Sequence, residues 1–436
     1  MTASGRRPLL RLTGAATLAA LALTGCAGTG SADDAGAGAS GEGPVETLTF
    51  WSNHPGESKA VETELLEAFE EESGIEVNLV TAGKNYEEVA QKFNAALSGG
   101  ELPDVVVVSD VTWFNFALTD AITPMDELWS TVGVDSEGYV DSLREDYTFE
   151  GEHYALPYAR STPLFYYNKA MWSAAGLPDR GPETWAEWAE WAPKLAAANG
   201  GVAPMVLPDG SNYLDWYFQG MVWTFDGSYS DEWDMTFTSD GTIEAGEFLQ
   251  DQYQQQHIAI SNDANNQFGA GQAASLLQST GSLKGLTGTA GFEIGTAFLP
   301  GPTPGVPTGG AGLAIPERIS DERKEAAMEL IAFLTDTENT VTFSQATGYM
   351  PVQKDAVDHP DMKPFLEENP NFRTAIEQLE VTASQDNARV LLPGGGARIG
   401  AGLDRITIGG EDVATVFGQL EAESTTVYER DIEPKL

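Results

Sequence analysis

One cysteine, four histidines and 23 lysines and arginines among 436 residues leave little material for several kinds of chemistry. Without a cysteine pair, the body of the chain is built with no disulfides. The histidines (His54, His153, His257, His359) are scattered, with no His-Glu-x-x-His and no other metal-ligand spacing. The basic residues face 66 acids and are not clustered, which excludes nucleic acid or an anionic membrane surface as the main partner. It does not exclude an anionic small molecule, because one well-placed arginine outweighs a distant negative field. No serine sits in a Gly-x-Ser-x-Gly elbow, and no phosphate-cradling Gly-x4-Gly-Lys-Ser/Thr occurs. With 66 acids, chance carboxylate pairs are inevitable, so no pair is marked out for glycoside hydrolysis.

The apolar segment near the start, "LTGAATLAALALTG", is too short to cross a bilayer comfortably and follows Arg6, Arg7 and Arg11. These are signal-peptide flanks. The segment ends in "LTGC" at Cys26, the only cysteine, and resembles a bacterial lipobox. That resemblance implies removal of residues 1–25 and a diacylglycerol on Cys26. Residues 26–44, rich in Gly, Ala, Ser and acids, have nothing large and apolar to bury and read as a flexible tether. Three of the 23 basic residues leave with the signal. The mature chain then carries 20 lysines and arginines against 66 acids, a net charge of −46.

The body of about 390 residues exceeds one ordinary core and predicts two domains. It opens "ETLTFWSN", "GESKAVETELLEAFEEESG", "IEVNLVTA", "NYEEVAQKFNAALSGG", "PDVVVVSD". This is strand, helix, strand, helix and a continuous buried strand, the pattern of an open α/β sheet. Ligands in such sheets sit at the carboxyl ends of the strands, where "WSN", "GKNY" and "VSD" fall. Thr184-x-x-Glu187 is a capping box opening a helix with Trp185, Trp188 and Trp191 spaced three apart, a stripe expected in the core rather than under a sugar. The following region, to about residue 285, reads as mostly helical. "GGAGLAIP" reads as a strand returning to the first domain, and "DERKEAAMELIAFLTD" as an amphipathic helix. "DGSYSDEWD" (226–234) alternates oxygen donors but lacks the rest of a calcium loop, and is expected to be a solvated turn.

In order along the chain, "ALPYARSTPLFYYNKAMWSAAGLP", "GPETWAEW", "LLQSTGSLKGL", "GGAGLAIP" and "FLTDTENTVTFSQATGYMPV" resemble the family 1 extracellular solute-binding proteins of ABC importers. "STGSL", "ATGYMPV", "NPNFRTAIEQL" and "ARIG" are similar to the branch that binds glycerol 3-phosphate and glycerophosphocholine. The resemblance implies a non-catalytic receptor with an α/β, two-lobed, type II periplasmic-binding-protein-like fold and its ligand in the cleft between lobes. Lobe 1 is expected over 45–155 and about 308–350, and a helix-rich lobe 2 over about 156–307 and part of 351–436.

Carried over position by position, the resemblance implies ligand contacts from Tyr86, Asp110, Ser161, Ser279, the Gly310 amide, Tyr349 and Arg398. The phosphate is expected on Arg398, among Gly394, Gly395, Gly396 and Gly400. Some members of the family place a tryptophan where Leu214 stands in "NYLDWYF", which would leave room for the choline head of a diester. A monomer is expected, with permease subunits and a lipid-anchored membrane as partners, and no cofactor or metal is implied. A sugar ligand is the alternative, and a secreted hydrolase the competing class. Ser161 is the test of that class. No base is marked out to activate it, and Pro163 biases Thr162 toward the extended conformation of a crossover segment.

Overall fold

A computed structural model of the chain describes residues 44–54, 57–301 and 305–436. The signal peptide, Cys26 and the tether up to residue 43 lie outside the described residues. Ten strands make two five-stranded sheets: β1 (Thr47–Ser52), β2 (Glu76–Thr81), β3 (Val105–Ser109), β4 (Leu156–Ser161), β5 (Pro163–Asn168), β6 (Met205–Pro208), β7 (Ile258–Ser261), β8 (Ser275–Ser279), β9 (Ile294–Ala297) and β10 (Gly309–Ala314).

The first sheet runs β2-β1-β3-β10-β4, with β1 parallel to β2 and β3, and β10 antiparallel to both of its neighbours. The "VVVV" of β3 is buried on both faces. Val105 and Val107 pack with Leu65, Phe69 and Leu330 of the helices Glu57–Ser73 and Asp321–Leu334, whereas Val106 and Val108 pack with Val89 and Phe93 of helix Tyr86–Leu97. Period-2 alternation thus places helices on both sides of the sheet. "GGAGLAIP" enters this sheet as β10, as its composition predicted.

The second sheet runs β7-β6-β8-β5-β9; β5 and β9 fall where the sequence reads as strand ("LFYYN" and "FEIGTAF"), but β6, β7 and β8 lie in a region read as mostly helical. The difference has a simple cause. β6 (MVLP), β7 (IAIS) and β8 (SLLQS) are four or five residues long, too short to show a period, and long helices flank them. The chain passes from the first sheet to the second at Thr162, between β4 and β5. The strand at 156–161, given to the second lobe by the sequence, therefore pairs in the first sheet, with β10. Gln378 fixes the crossing: its Nε2 donates to Thr162 Oγ1 at 2.7 Å and to the Pro163 carbonyl at 2.6 Å.

Thr184 caps helix Trp185–Ala198 by accepting from the Glu187 amide at 3.1 Å, and Trp185, Trp188 and Trp191 are all buried in the core. Tyr166 and Tyr167, on opposite faces of β5, donate to the Ser279 carbonyl and to Asp179 respectively, and both are buried. The 226–234 segment closes as a short hairpin, Ser230–Asp231 against Asp234–Met235. Among the described residues no group of three His, Cys, Asp or Glu could hold a metal ion. No helix of the described residues is long and apolar enough to cross a membrane.

Candidate functional site

A cavity of about 140 Å³ opens where the carboxyl ends of β3, β4 and β8 converge, lined by Tyr86, Asp110, Ser161, Tyr213, Trp216, Tyr217, Gln278, Ser279, Gly310, Tyr349 and Arg389. Asp110 follows β3, whereas Ser161 and Ser279 are the last residues of β4 and β8. Tyr86 begins the helix that Asn85 caps through the Glu88 amide at 2.9 Å. Tyr349 follows helix Thr337–Thr347, which ends at Gly348 with φ +103°. Gly310 has φ +101°, and a Cβ there would lie 2.1 Å from the Ala159 carbonyl oxygen, so this bend in β10 requires glycine.

Six of the eight ligand contacts read from sequence, Tyr86, Asp110, Ser161, Ser279, Gly310 and Tyr349, thus line one cavity. Leu214 and Arg398 do not. Leu214 is fully buried in the hydrophobic core at the start of helix Leu214–Thr224, and the face turned to the cavity carries Tyr213, Trp216 and Tyr217 instead. Trp216 is pinned by its Nε1, which donates to the Thr308 carbonyl at 2.9 Å.

Arg398 lies on helix Gly395–Thr407, where its Nη2 donates to the Pro393 carbonyl at 2.9 Å and its charge faces Glu423 and Arg430. Gly394 has open space beside it, whereas Gly395, Gly396 and Gly400 do not make room for a ligand. They allow close packing: a Cβ on Gly395 would meet the Ala388 carbonyl at 2.3 Å, and one on Gly400 the Gly210 carbonyl at 2.6 Å.

The cation in the cavity wall is Arg389, on the short helix Asn387–Val390. Its Nε donates to Asp215 Oδ2 at 2.7 Å, and its Nη1 to Asp110 Oδ2 at 3.0 Å and to Gln385 Oε1. Nη2 has no hydrogen-bond partner among the described residues. Burial alone would lower the basicity of this guanidinium, but the carboxylates of Asp215 and Asp110 outweigh it and hold the group charged. Burial pushes the Asp215 carboxyl up to about 6 despite Arg389. No local charge pattern marks Arg389, since its carboxylate partners lie 174 and 279 residues away.

Three half-buried phenols, Tyr86, Tyr213 and Tyr349, join the buried Tyr217 in the polar lining. Burial raises Tyr86 well above the usual tyrosine range and Tyr349 to about 12. Both hydroxyls stay neutral and able to donate, which suits an anion or a polyol. Tyr213, with φ +69°, donates to Glu87 Oε2 at 3.0 Å. What the arrangement offers is one guanidinium with a spare nitrogen, several neutral hydroxyls, a carboxylate and aromatic walls. The cavity holds no histidine and no nucleophile beside a base. It can hold a small polar anion by hydrogen bonds.

A solute-binding receptor is the class that this fold and cavity define. The family profile of the bacterial extracellular solute-binding proteins matches residues 64–374, and the chain belongs to that family, whose members are transport receptors and not enzymes. Its two-lobed fold is that of the periplasmic sugar-binding proteins. The GacH receptor of Streptomyces glaucescens superimposes with a TM-score of 0.77 at 18% identity, covering 88% of this chain and 99% of that one. More particularly, the chain is 49% identical to UgpB of Mycobacterium tuberculosis, whose crystal structure contains glycerophosphocholine; the TM-score is 0.86, covering 90% of this chain and all of that one. It is also 27% identical over 367 residues to the sn-glycerol-3-phosphate-binding periplasmic protein UgpB of Escherichia coli, covering 77% of this chain and 81% of that protein.

Proposed function

We propose that the protein captures a glycerophosphodiester outside the cell and delivers it to the permease of an ABC importer. Arg389 carries the reading: a buried guanidinium with an unused Nη2 in the wall of a hydroxyl-rich cavity. Nη2, the Tyr86 and Tyr349 hydroxyls and Ser279 bind the phosphate, while Asp110 and Ser161 hold the glycerol hydroxyls. The similarity to the M. tuberculosis protein supports this choice of ligand.

Charge favours the diester over glycerol 3-phosphate. Arg389 already faces the two carboxylates of Asp110 and Asp215, so the pocket carries no net positive charge. A phosphodiester brings one negative charge, whereas a monoester brings about 1.5 to 2 at neutral pH. The preference no longer rests on Leu214, which lies in the core.

The mature receptor is proposed to be a monomer tethered through a lipidated Cys26, with a first lobe around β1–β4 and β10 and a second around β5–β9. Closure of the lobes on ligand is a hinge motion in which the ligand favours the closed state. Calorimetric titration with glycerophosphocholine, glycerol 3-phosphate and maltose, together with a product assay, tests the function. One-to-one binding of glycerophosphocholine without turnover is expected. Turnover of any of the three refutes a receptor, and binding of maltose alone refutes the phosphate ligand. Release of Cys26→Ala protein from the membrane fraction into the medium tests the anchor, and retention would refute it.

A further inference from the structure

Asp146 follows the short helix Asp141–Glu145 and does not line the ligand cavity. Its carboxylate nevertheless gathers donors from three distant segments. Oδ2 accepts from Arg160 Nη2 and, at 2.8 Å, from the Thr308 hydroxyl, and Oδ1 accepts from the Ser384 hydroxyl at 3.2 Å. The donors lie 14, 162 and 238 residues away, so no local pattern marks their meeting point. An ionised carboxylate offers about four acceptor sites and serves all three at once.

Each of these segments carries cavity residues. Arg160, fully buried on β4, precedes Ser161, and its carbonyl accepts from the Met350 amide at 2.7 Å, which fixes the residue after Tyr349. Its guanidinium depends on Asp146, because a buried cation stripped of its carboxylate is costly. Tyr147 adds its hydroxyl at 2.6 Å and the face of its ring. Thr308, where the chain returns from the second sheet to β10, stands two residues before Gly310, and its carbonyl pins the Trp216 indole. Ser384 precedes Gln385, whose amide joins Asp110 to Arg389.

The Ser384 bond differs from the other two. Ser384 leads into helix Asn387–Val390, which Asp386 and Arg389 tie to Trp223 and Asp215 of helix Leu214–Thr224, and that helix packs on β6 of the second sheet. Arg160 sits in the first sheet. The bond from Ser384 to Asp146 therefore joins the two lobes, as the contact from Arg389 to Asp110 does.

Resting on the reading that the cavity holds the ligand, we infer that Asp146 is a positioning residue for binding. It sets Ser161 and Tyr349 through Arg160, Gly310 and Trp216 through Thr308, and Arg389 through Ser384. Groups aimed at a ligand have to be held to within about 0.5 Å, and one carboxylate does this here for walls that come from both lobes.

The test uses Ser384→Ala, Ser384→Thr, Thr308→Val and the Ser384→Ala/Thr308→Val double variant of the full chain. Glycerophosphocholine is titrated calorimetrically, its release is followed by stopped-flow fluorescence, and ligand-free Tm is measured alongside. Ser384 is exposed, so Ser384→Ala should leave the ligand-free Tm within about 2 °C. It should weaken binding about threefold through faster release, and Ser384→Thr, which keeps the hydroxyl, should restore it. Thr308→Val should weaken binding about fivefold, and the double variant about tenfold or more. A hydroxyl with a merely structural role would change Tm and leave the release rate alone. The inference is overturned if the double variant binds within about twofold of wild type, or if Ser384→Thr fails to recover the loss. Should the double variant not fold, Ser384→Ala decides alone, and an unchanged affinity and release rate overturn the inference. Failure of wild type to bind glycerophosphocholine refutes the proposed function instead.

Discussion

The Arg389 guanidinium and the Asp215 carboxylate meet at 2.7 Å, and each side chain is only 2% exposed. They lie 174 residues apart in the chain, and Asp110, which follows β3 of the first sheet, adds a contact at 3.0 Å. Arg389 thus holds the cavity together as well as lining it. Removing one partner of a buried pair strands the other charge. Arg389→Ala should therefore lower stability by about 3–5 kcal/mol in chemical denaturation. Adding Asp215→Asn to an Arg389→Gln variant should recover part of that loss. No recovery would mean that the guanidinium stabilises by packing rather than by charge.

Asp386, at the start of the helix that carries Arg389, accepts from the Tyr229 amide at 2.6 Å and from Trp223 Nε1 at 3.1 Å. Burial nevertheless lifts its carboxyl to about 6. A carboxyl whose pKa is raised on folding binds its proton more tightly in the folded state, so its contribution favours folding at low pH. That contribution is lost as the pH rises through about 6. At about 1.4 kcal/mol per unit, the upper bound is about 3 kcal/mol. The high acidic charge acts in the same direction. Thermal melts should show a higher Tm at pH 5 than at pH 7.5, and Asp386→Asn should flatten the slope. A Tm that rises from pH 5 to 7.5 would contradict the assignment.

Trp216 owes its place in the cavity wall partly to a missing side chain. A Cβ on Gly309 would lie 2.6 Å from the indole Cε2. Gly309→Ala should push the ring into the cavity and weaken ligand binding tenfold, about 1.4 kcal/mol, or more. Affinity unchanged within error would show that the ring is not part of the binding surface.

Tyr213 combines a left-handed backbone with a hydroxyl held on Glu87, linking the helix after β2 to the helix after β6. A non-glycine residue in that conformation is held there by its surroundings and is commonly found at binding sites. Tyr213→Phe should remove about 1 kcal/mol from the closed state and speed ligand release roughly fivefold in stopped-flow fluorescence. An unchanged off-rate would separate this contact from ligand retention.

The first half of the fold was legible because its strands alternate or run continuously apolar and its helices carry stops at Gly74 and Gly99. The crossing at Thr162 was legible for a local reason too, the proline that follows it. In the second sheet β5 and β9 were legible as strands, whereas β6, β7 and β8 were not, since strands of four or five residues among long helices carry no period. Six cavity residues followed from the family resemblance carried over position by position, and of these only Tyr86 and Asp110 also fell in segments that the open-sheet pattern itself put at strand ends. The sequence put the phosphate on Arg398 through the family motif "ARIG" and the glycines beside it, but Arg398 does not line the cavity. In the structure Gly395 and Gly400 seat one backbone against another, and a Gly396 Cβ would meet the Asp215 side chain at 2.8 Å. Arg389 is defined by carboxylates far off in sequence, and nothing within its own segment encodes them.

The most direct test compares two conservative cuts at the two arginines, using titration calorimetry with glycerophosphocholine and circular dichroism to follow folding. Arg389→Lys keeps the charge but loses the planar fork, and should weaken binding about a hundredfold or more. Arg398→Ala should bind within about twofold of wild type. The reverse pattern, with Arg398→Ala abolishing binding and Arg389→Lys leaving it intact in a folded protein, would contradict the placement of the phosphate on Arg389.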